Sequence, residues 1–298
     1  MKRGPLCVLG CYILWGLLPV FWKTLSSVNS AYVLAARIVW SLVFLTAVLA
    51  GQRRLREAAA VLRDRSERRR LLLSGACICV NWGLYIWAVN SSHMLDASLA
   101  YYMNPIMVIF LGTLLFQEKL TRLQWLSVAV TFAGLITVII RCRQFPWLAI
   151  MIGASFAFYG AVKKNVRAEA GISTFIETLF LTPAALIFMI AAEARGAGAV
   201  GVLHGAQWLL LPASGIATTV PLLLYSHGLK TTPLSVSGIL MYVNPTLQLL
   251  ISVLLYGEDF TATHAILFGF VWTGVALYLL SALLRGRERR KENPPCAS

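Results

Sequence analysis

The chain has 298 residues, 58% of them hydrophobic and only 13% charged, with a net charge of +14 and a mean hydropathy of +0.74. A soluble domain would carry roughly 25% charged residues, so the composition excludes a water-soluble globular protein and points to an all-α integral membrane protein. No polar block is long enough to form an appended soluble domain.

The N-terminal MKRG and the apolar stretch after it mimic a signal peptide. The stretch is long for one and lacks a small-x-small cleavage site, so it reads as the first span. A helix needs about 20 apolar residues to cross ~30 Å of hydrocarbon. Ten segments meet that need, roughly 5–22, 31–50, 71–89, 97–116, 124–140, 146–162, 173–192, 207–226, 235–256 and 264–284. The Arg-rich stretch 51–70 and the short connections read as loops, and 285–298 reads as a disordered, basic cytoplasmic tail.

Charge orients these spans. With the N-terminus inside, the inward loops hold 21 of the 26 Lys and Arg, against four in the outward loops. That bias predicts both termini in the cytoplasm and an even number of spans. It also accounts for the net charge without nucleic acid, since basic loops anchor a chain beside anionic lipid.

Residues 101–121 and 241–261 match at an offset of 140: Tyr102, Asn104, Pro105, Leu114, Leu115, Glu118 and Thr121 against Tyr242, Asn244, Pro245, Leu254, Leu255, Glu258 and Thr261. An odd number of spans separates the copies, so they enter the membrane from opposite sides. That is the signature of two inverted five-helix repeats, here 1–145 and 146–284, a transporter architecture. Proline removes a backbone donor and clashes with the preceding turn, so Pro105 and Pro245 are expected to kink or break their helices and act as hinges. Asn104 and Asn244 can supply donors to the freed carbonyls or point at a solute.

The same offset sets Arg37 against Glu177, the clearest ionisable residues within the spans. Such groups face the bundle interior or water. Counting helical rise from each end puts their backbones roughly 12 Å apart in depth, which favours two half-sites over a direct salt bridge. Arg37 snorkelling to headgroups is the competing reading. Leu14-Trp15-Gly16 echoes Phe158-Tyr159-Gly160, making Trp15 and Tyr159 cavity candidates along with Tyr242. VNWGLYIWAVN places Asn81, Trp82 and Tyr85 as a polar and aromatic stripe that could line a pocket or pack against other helices. Four histidines (His93, His204, His227, His264) lie at span ends and six cysteines lack ligand spacing, so no metal or cofactor is expected.

The segments ILWGLLPVFWK, ARIVWSLVF, NWGLYIWAVN, ASLAYYMNP and YVNPTLQLL resemble, in order and spacing over residues 5–284, the RarD proteins. These belong to the EamA-type branch of the drug/metabolite transporter superfamily. The resemblance implies ten helices, a central cavity lined by spans 1–4 and 6–9, peripheral spans 5 and 10, alternating access, and a bacterial inner membrane. It carries site roles onto Arg37, Asn81, Trp82, Asn104, Pro105 and Glu177. Ala36 stands where the resemblance leads one to expect His.

The function expected is a secondary-active permease, an exporter of a small organic solute, with protons as a candidate coupling ion. A lipid-modifying membrane enzyme and a passive channel are the alternatives. The sequence has no Asp-rich or His-Glu cluster to support the first, and a channel fits inverted repeats with broken helices less well. No GxxxxGK[ST] is present, so the energy expected is a gradient.

Overall fold

The computed structural model describes residues 3–90, 94–142, 145–257 and 259–292, and its regular structure is entirely helical. In chain order the helices are α1 (Arg3–Lys23), α2 (Ser30–Gly51), α3 (Leu55–Arg63), α4 (Arg65–Asn90), α5 (Met94–Phe116), α6 (Arg122–Cys142), α7 (Trp147–Asn165), α8 (Ala170–Ala194), α9 (Leu210–Leu229), α10 (Leu234–Met241), α11 (Val243–Tyr256) and α12 (Ala262–Glu292). Among the described residues, nine helical stretches are long and apolar enough to cross a membrane, with α10 and α11 forming one. α7 falls short because its last turn carries Lys163 and Lys164.

Polarity is distributed as a bilayer requires. Leu254 is 79% exposed, Ile187 70% and Ile140 69%, whereas Ser41, Ser74, Ser127 and Thr219 are fully enclosed. Large apolar groups on the outside and hydroxyls within are the arrangement of a protein solvated by lipid.

Helix boundaries differ from the sequence reading in three places. The stretch 51–70 is not a loop: α3 packs Ala58, Val61 and Leu62 against Leu49, Leu71 and Ile172. Asp64 then caps α4, its Oδ1 accepting from Ser66 N at 2.8 Å, so α4 begins six residues before the apolar run. The stretch 285–292 is not disordered but continues α12, while 293–298 lie outside the described residues.

The dominant packing joins the first half of the chain to the second. α1 lies on α9 and α11, α2 on α8 and α9, α4 on α7, α5 on α7 and α10, and α6 on α12. Small residues permit several of these contacts. A Cβ on Gly274 of α12 would lie 2.2 Å from Thr131 Oγ1 of α6, and Ser127 Oγ donates to Gly274 O at 2.6 Å. A Cβ on Gly238 of α10 would lie 2.7 Å from Pro105 O of α5.

The two Asn-Pro sites behave differently. Span 235–256 is broken at Tyr242, and Pro245 falls in the first turn of α11, where a missing N–H leaves no helical bond unmade. α5, by contrast, runs through Pro105 as one continuous helix, so of the kink or break expected there the break is not found. Both helices end alike. Gly257 takes the left-handed conformation after α11 at φ 67°, and Gln117, 140 positions earlier, does so after α5 at φ 51°. Glycine adopts that conformation without steric cost, whereas Gln117 is held in it with Glu118 N donating to Gly112 O at 3.2 Å. Its counterpart acid Glu258 lies outside the described residues.

Glu118 ties α5 to α10. Its carboxylate accepts from Leu234 N at 2.7 Å and Ser235 N at 2.8 Å, satisfying the first donors of α10. Glu118→Gln leaves one oxygen and no charge. It is expected to cost about 1–3 kcal/mol and to speed amide exchange at Leu234 and Ser235, read by hydrogen exchange in detergent.

Candidate functional site

Two polar clusters lie inside the helical bundle, one toward the end bearing the Arg-rich α3–α4 region and one toward the other end. The first is built where α7 ends and α8 begins. Phe156, Tyr159, Gly160 and Lys163 form one buried face of α7, spaced at three and four residues. A short turn brings Glu177 of α8 opposite, and Lys163 Nζ lies 2.7 Å from Glu177 Oε2. Ser74 of α4 donates to the other oxygen at 2.6 Å. The pair is enclosed, the side chains being 1% and 5% exposed. Lys163 sits in the last turn of α7, where the helix dipole favours a cation.

An aromatic group roofs this pair. Tyr159 and Tyr225 stack with centroids 5.9 Å apart, and Tyr12, Trp15 and Phe156 pack around them. Tyr12 Oη shares a hydrogen bond of 2.8 Å with Ser237 of α10. Among the described residues, the buried Thr174 Oγ1 has no hydrogen-bond partner.

The second cluster centres on Arg37 of α2. Its guanidinium lies over the Trp82 ring at 4.4 Å and near the Trp22 ring at 5.4 Å. Such contacts contribute about 0.5–2 kcal/mol each. Tyr85 and Tyr101 meet edge to face with centroids 5.6 Å apart, both close to the Arg37 charge. Tyr101 also faces Gln248 of α11, whose amide donates to Asn244 Oδ1 at 2.7 Å. Among the described residues, Arg37 Nε is buried without a hydrogen-bond partner. Among the residues whose side chains the structure describes, which do not include Asp96, no carboxylate lies within ion-pair distance of it.

The residues named from sequence therefore divide. Arg37, Trp82, Tyr85 and Asn244 come together in the second cluster, and Trp15, Tyr159 and Glu177 in the first. Asn81 is drawn elsewhere: its amide donates to Ile152 O at 2.8 Å and Ser155 Oγ at 3.2 Å, binding α4 to α7. Asn104 is also turned toward α7, close to Gly153, with Oδ1 buried and unpartnered. Tyr242 reaches its own counterpart, Oη lying 3.4 Å from Tyr102 O, next to the Pro105 site. Lys163 was missed as a site residue and assigned to a loop. The signal was available, because it follows Tyr159 by four residues on the apolar face of the same helix. Ser74, Trp22, Tyr101 and Tyr225 carry no comparable sequence signal.

A lipid-solvated bundle with charge and hydroxyls enclosed between its halves is the construction of a polytopic membrane transporter. The EamA-like transporter family matches this chain twice, over residues 2–140 and 146–280, and the chain belongs to that family. Protein RarD of Escherichia coli (strain K12) is 34% identical over 290 residues, covering 97% of this chain and 98% of that protein. Transporter YojE of Bacillus subtilis (strain 168) is 37% identical over 284 residues, with 94% of each chain covered. An uncharacterized transporter of Vibrio cholerae is 35% identical over 290 residues, 97% of this chain and 96% of that one. The fold also matches a solved crystal structure at a TM-score of 0.71 and 18% identity, over 94% of this chain and 98% of that chain.

Proposed function

We propose that the protein is a secondary-active carrier that exports a small organic solute across a bacterial inner membrane by alternating access. In this reading ten spans form two inverted halves, 1–145 and 146–284, with both termini cytoplasmic. The packing supports that symmetry. α4 and α5 both lie on α7, as α9 and α11 both lie on α1, and α2–α8, α5–α10 and α6–α12 pair helices with their counterparts. The twofold match to the EamA-like family and the contact between Tyr102 and Tyr242 support it as well. The break at Tyr242 gives the second half a joint beside Pro245, and Pro105 is the corresponding weak point in α5.

The observation that carries the reading is the Lys163–Glu177 pair, a titratable group enclosed between halves and touched by Ser74 of the first half. A proton taken by Glu177 Oε2 neutralises the carboxylate and loosens its hold on Lys163 and Ser74. One half then has less reason to stay on the other. Coupling proton entry to this rearrangement needs no nucleotide. A thermal-shift screen of small organic solutes identifies binders, because a ligand stabilises the native state. Uptake of the strongest binder into vesicles is expected to depend on an imposed pH gradient. Glu177→Gln keeps shape and hydrogen bonding but cannot ionise, and it is expected to retain solute exchange while losing the gradient dependence. Gradient dependence that survives in this variant removes the coupling role.

A further inference from the structure

The pair at the α7–α8 turn changes what the interior asks of a solute. Arg37 and Glu177 occupy equivalent positions in the two halves, and a charge at each would suit a solute carrying both signs. Glu177 is not available for that, because Lys163 neutralises it at 2.7 Å inside the protein. Among the residues whose side chains the structure describes, the interior charge left without an ion-pair partner is that of Arg37. Among the described residues its surroundings are uncharged: Trp22, Trp82, Tyr85 and Tyr101, with the Asn244–Gln248 amide pair beyond.

We propose that the transported solute is an organic monoanion, a carboxylate carried on a flat apolar ring, and that Arg37 takes its carboxylate. The inference rests on the carrier reading above and names its substrate class. Three observations lead to it. A cation inside a bilayer-spanning bundle is costly without a counter-charge, and aromatic faces offset only part of that cost. The guanidinium lies over the Trp82 ring, and its Nε is buried without an acceptor, so donors remain for a ligand in the guanidinium plane. A carboxylate fits that edge with two parallel bonds. The aromatic rings around the site, with Tyr85 and Tyr101 set edge to face at 5.6 Å, offer flat walls that favour a ring over a flexible chain. Among the described residues an ammonium group on the solute would meet aromatic rings and neutral amides but no carboxylate, which favours a monoanion over a zwitterion.

Isothermal titration of the purified full chain in detergent tests this with four probes near neutral pH: phenylacetate, phenylacetamide, phenethylamine and hexanoate. Phenylacetate is expected to bind about tenfold or more tightly than phenylacetamide and phenethylamine, as one charge-assisted bidentate contact implies, and more tightly than hexanoate, which lacks the ring. Arg37→Gln is expected to remove the preference over phenylacetamide and phenethylamine. Arg37→Lys keeps the charge without the fork and is expected to retain a weaker preference for phenylacetate over phenylacetamide. Melting temperatures of both variants establish that they are folded, and the comparison within the wild-type protein needs no variant. Equal binding of phenethylamine or hexanoate, unchanged phenylacetate affinity in Arg37→Gln, or no phenylacetate binding to folded wild-type protein each overturns the inference. The vesicle experiment uses whichever solute an open screen yields. Gradient-driven flux of a different solute therefore leaves the carrier reading intact while the anion assignment falls.

Discussion

Lys163→Met is expected to lower the melting temperature in detergent more than any other single change in the polar interior. The pair is enclosed, with side chains 1% and 5% exposed, so solvent screens it little. Removing the cation leaves Glu177 with a hydroxyl from Ser74 and no counter-charge. Breaking one side of such a pair costs about 3–5 kcal/mol, unless the carboxylate escapes by taking a proton. Lys163→Met with Glu177→Leu removes both charges and most of the need for them. The double variant is expected to recover most of the lost stability, because replacing a buried pair with apolar groups is often neutral or better. Recovery of stability without recovery of gradient-driven flux would separate the structural from the coupling role of the pair. A Lys163→Met protein that melts like the wild type would show that the pair does not hold α7 to α8.

Gly215→Val is expected to abolish the folded state. α2 and α9 meet there backbone to backbone: a Cβ on Gly215 would lie 2.4 Å from the Trp40 carbonyl carbon and 2.7 Å from Ser41 N. These are main-chain atoms and cannot swing aside. Ser41 Oγ also donates to Gly215 O at 3.1 Å, a bond that any separation of the helices breaks. Overpacking a well-filled site costs about 1–3 kcal/mol, and more where backbone must move. Gly215→Ala is expected to give a protein with a reduced melting temperature, and Gly215→Val no monodisperse peak in size-exclusion chromatography. A folded Gly215→Val protein would mean that α2 and α9 are free to separate.

Much of this was legible in the sequence, and the parts that were not have physical causes. Hydropathy located the long helices because lipid demands about 20 apolar residues from each. It could not find α3, whose nine residues are too few to span and whose burial rests on Ala58, Val61 and Leu62 alone. Repetition located Asn104–Pro105 and Asn244–Pro245, but not their different outcomes. Proline restricts its own φ and the residue before it, whereas the choice between a strained helix and a broken one is made by the packing around it. The estimate of helical depth kept Arg37 and Glu177 apart. It could not supply their partners, because Trp82 and Lys163 approach from helices whose rotation about their axes is set only by assembly. Asn81 shows the same limit: a polar residue on an apolar helix serves a solute or a neighbouring carbonyl, and only the neighbour's position decides.

The preference of each half for the other has a consequence for biosynthesis. α1, α2, α4, α5 and α6 make their dominant contacts with helices that follow residue 145, not with one another. At a translation rate of about 5–20 residues per second, the first six helices wait on the order of ten seconds for their partners. During that interval the glycine and hydroxyl face of α6, which later receives Gly274 of α12, is open to other membrane proteins. The second half enters with Lys163 and Glu177 only 14 residues apart, able to neutralise each other within one helical hairpin. The early-made half is thus the one exposed to mispairing and to membrane quality control. Truncations near residue 145 should be degraded faster than the isolated second half.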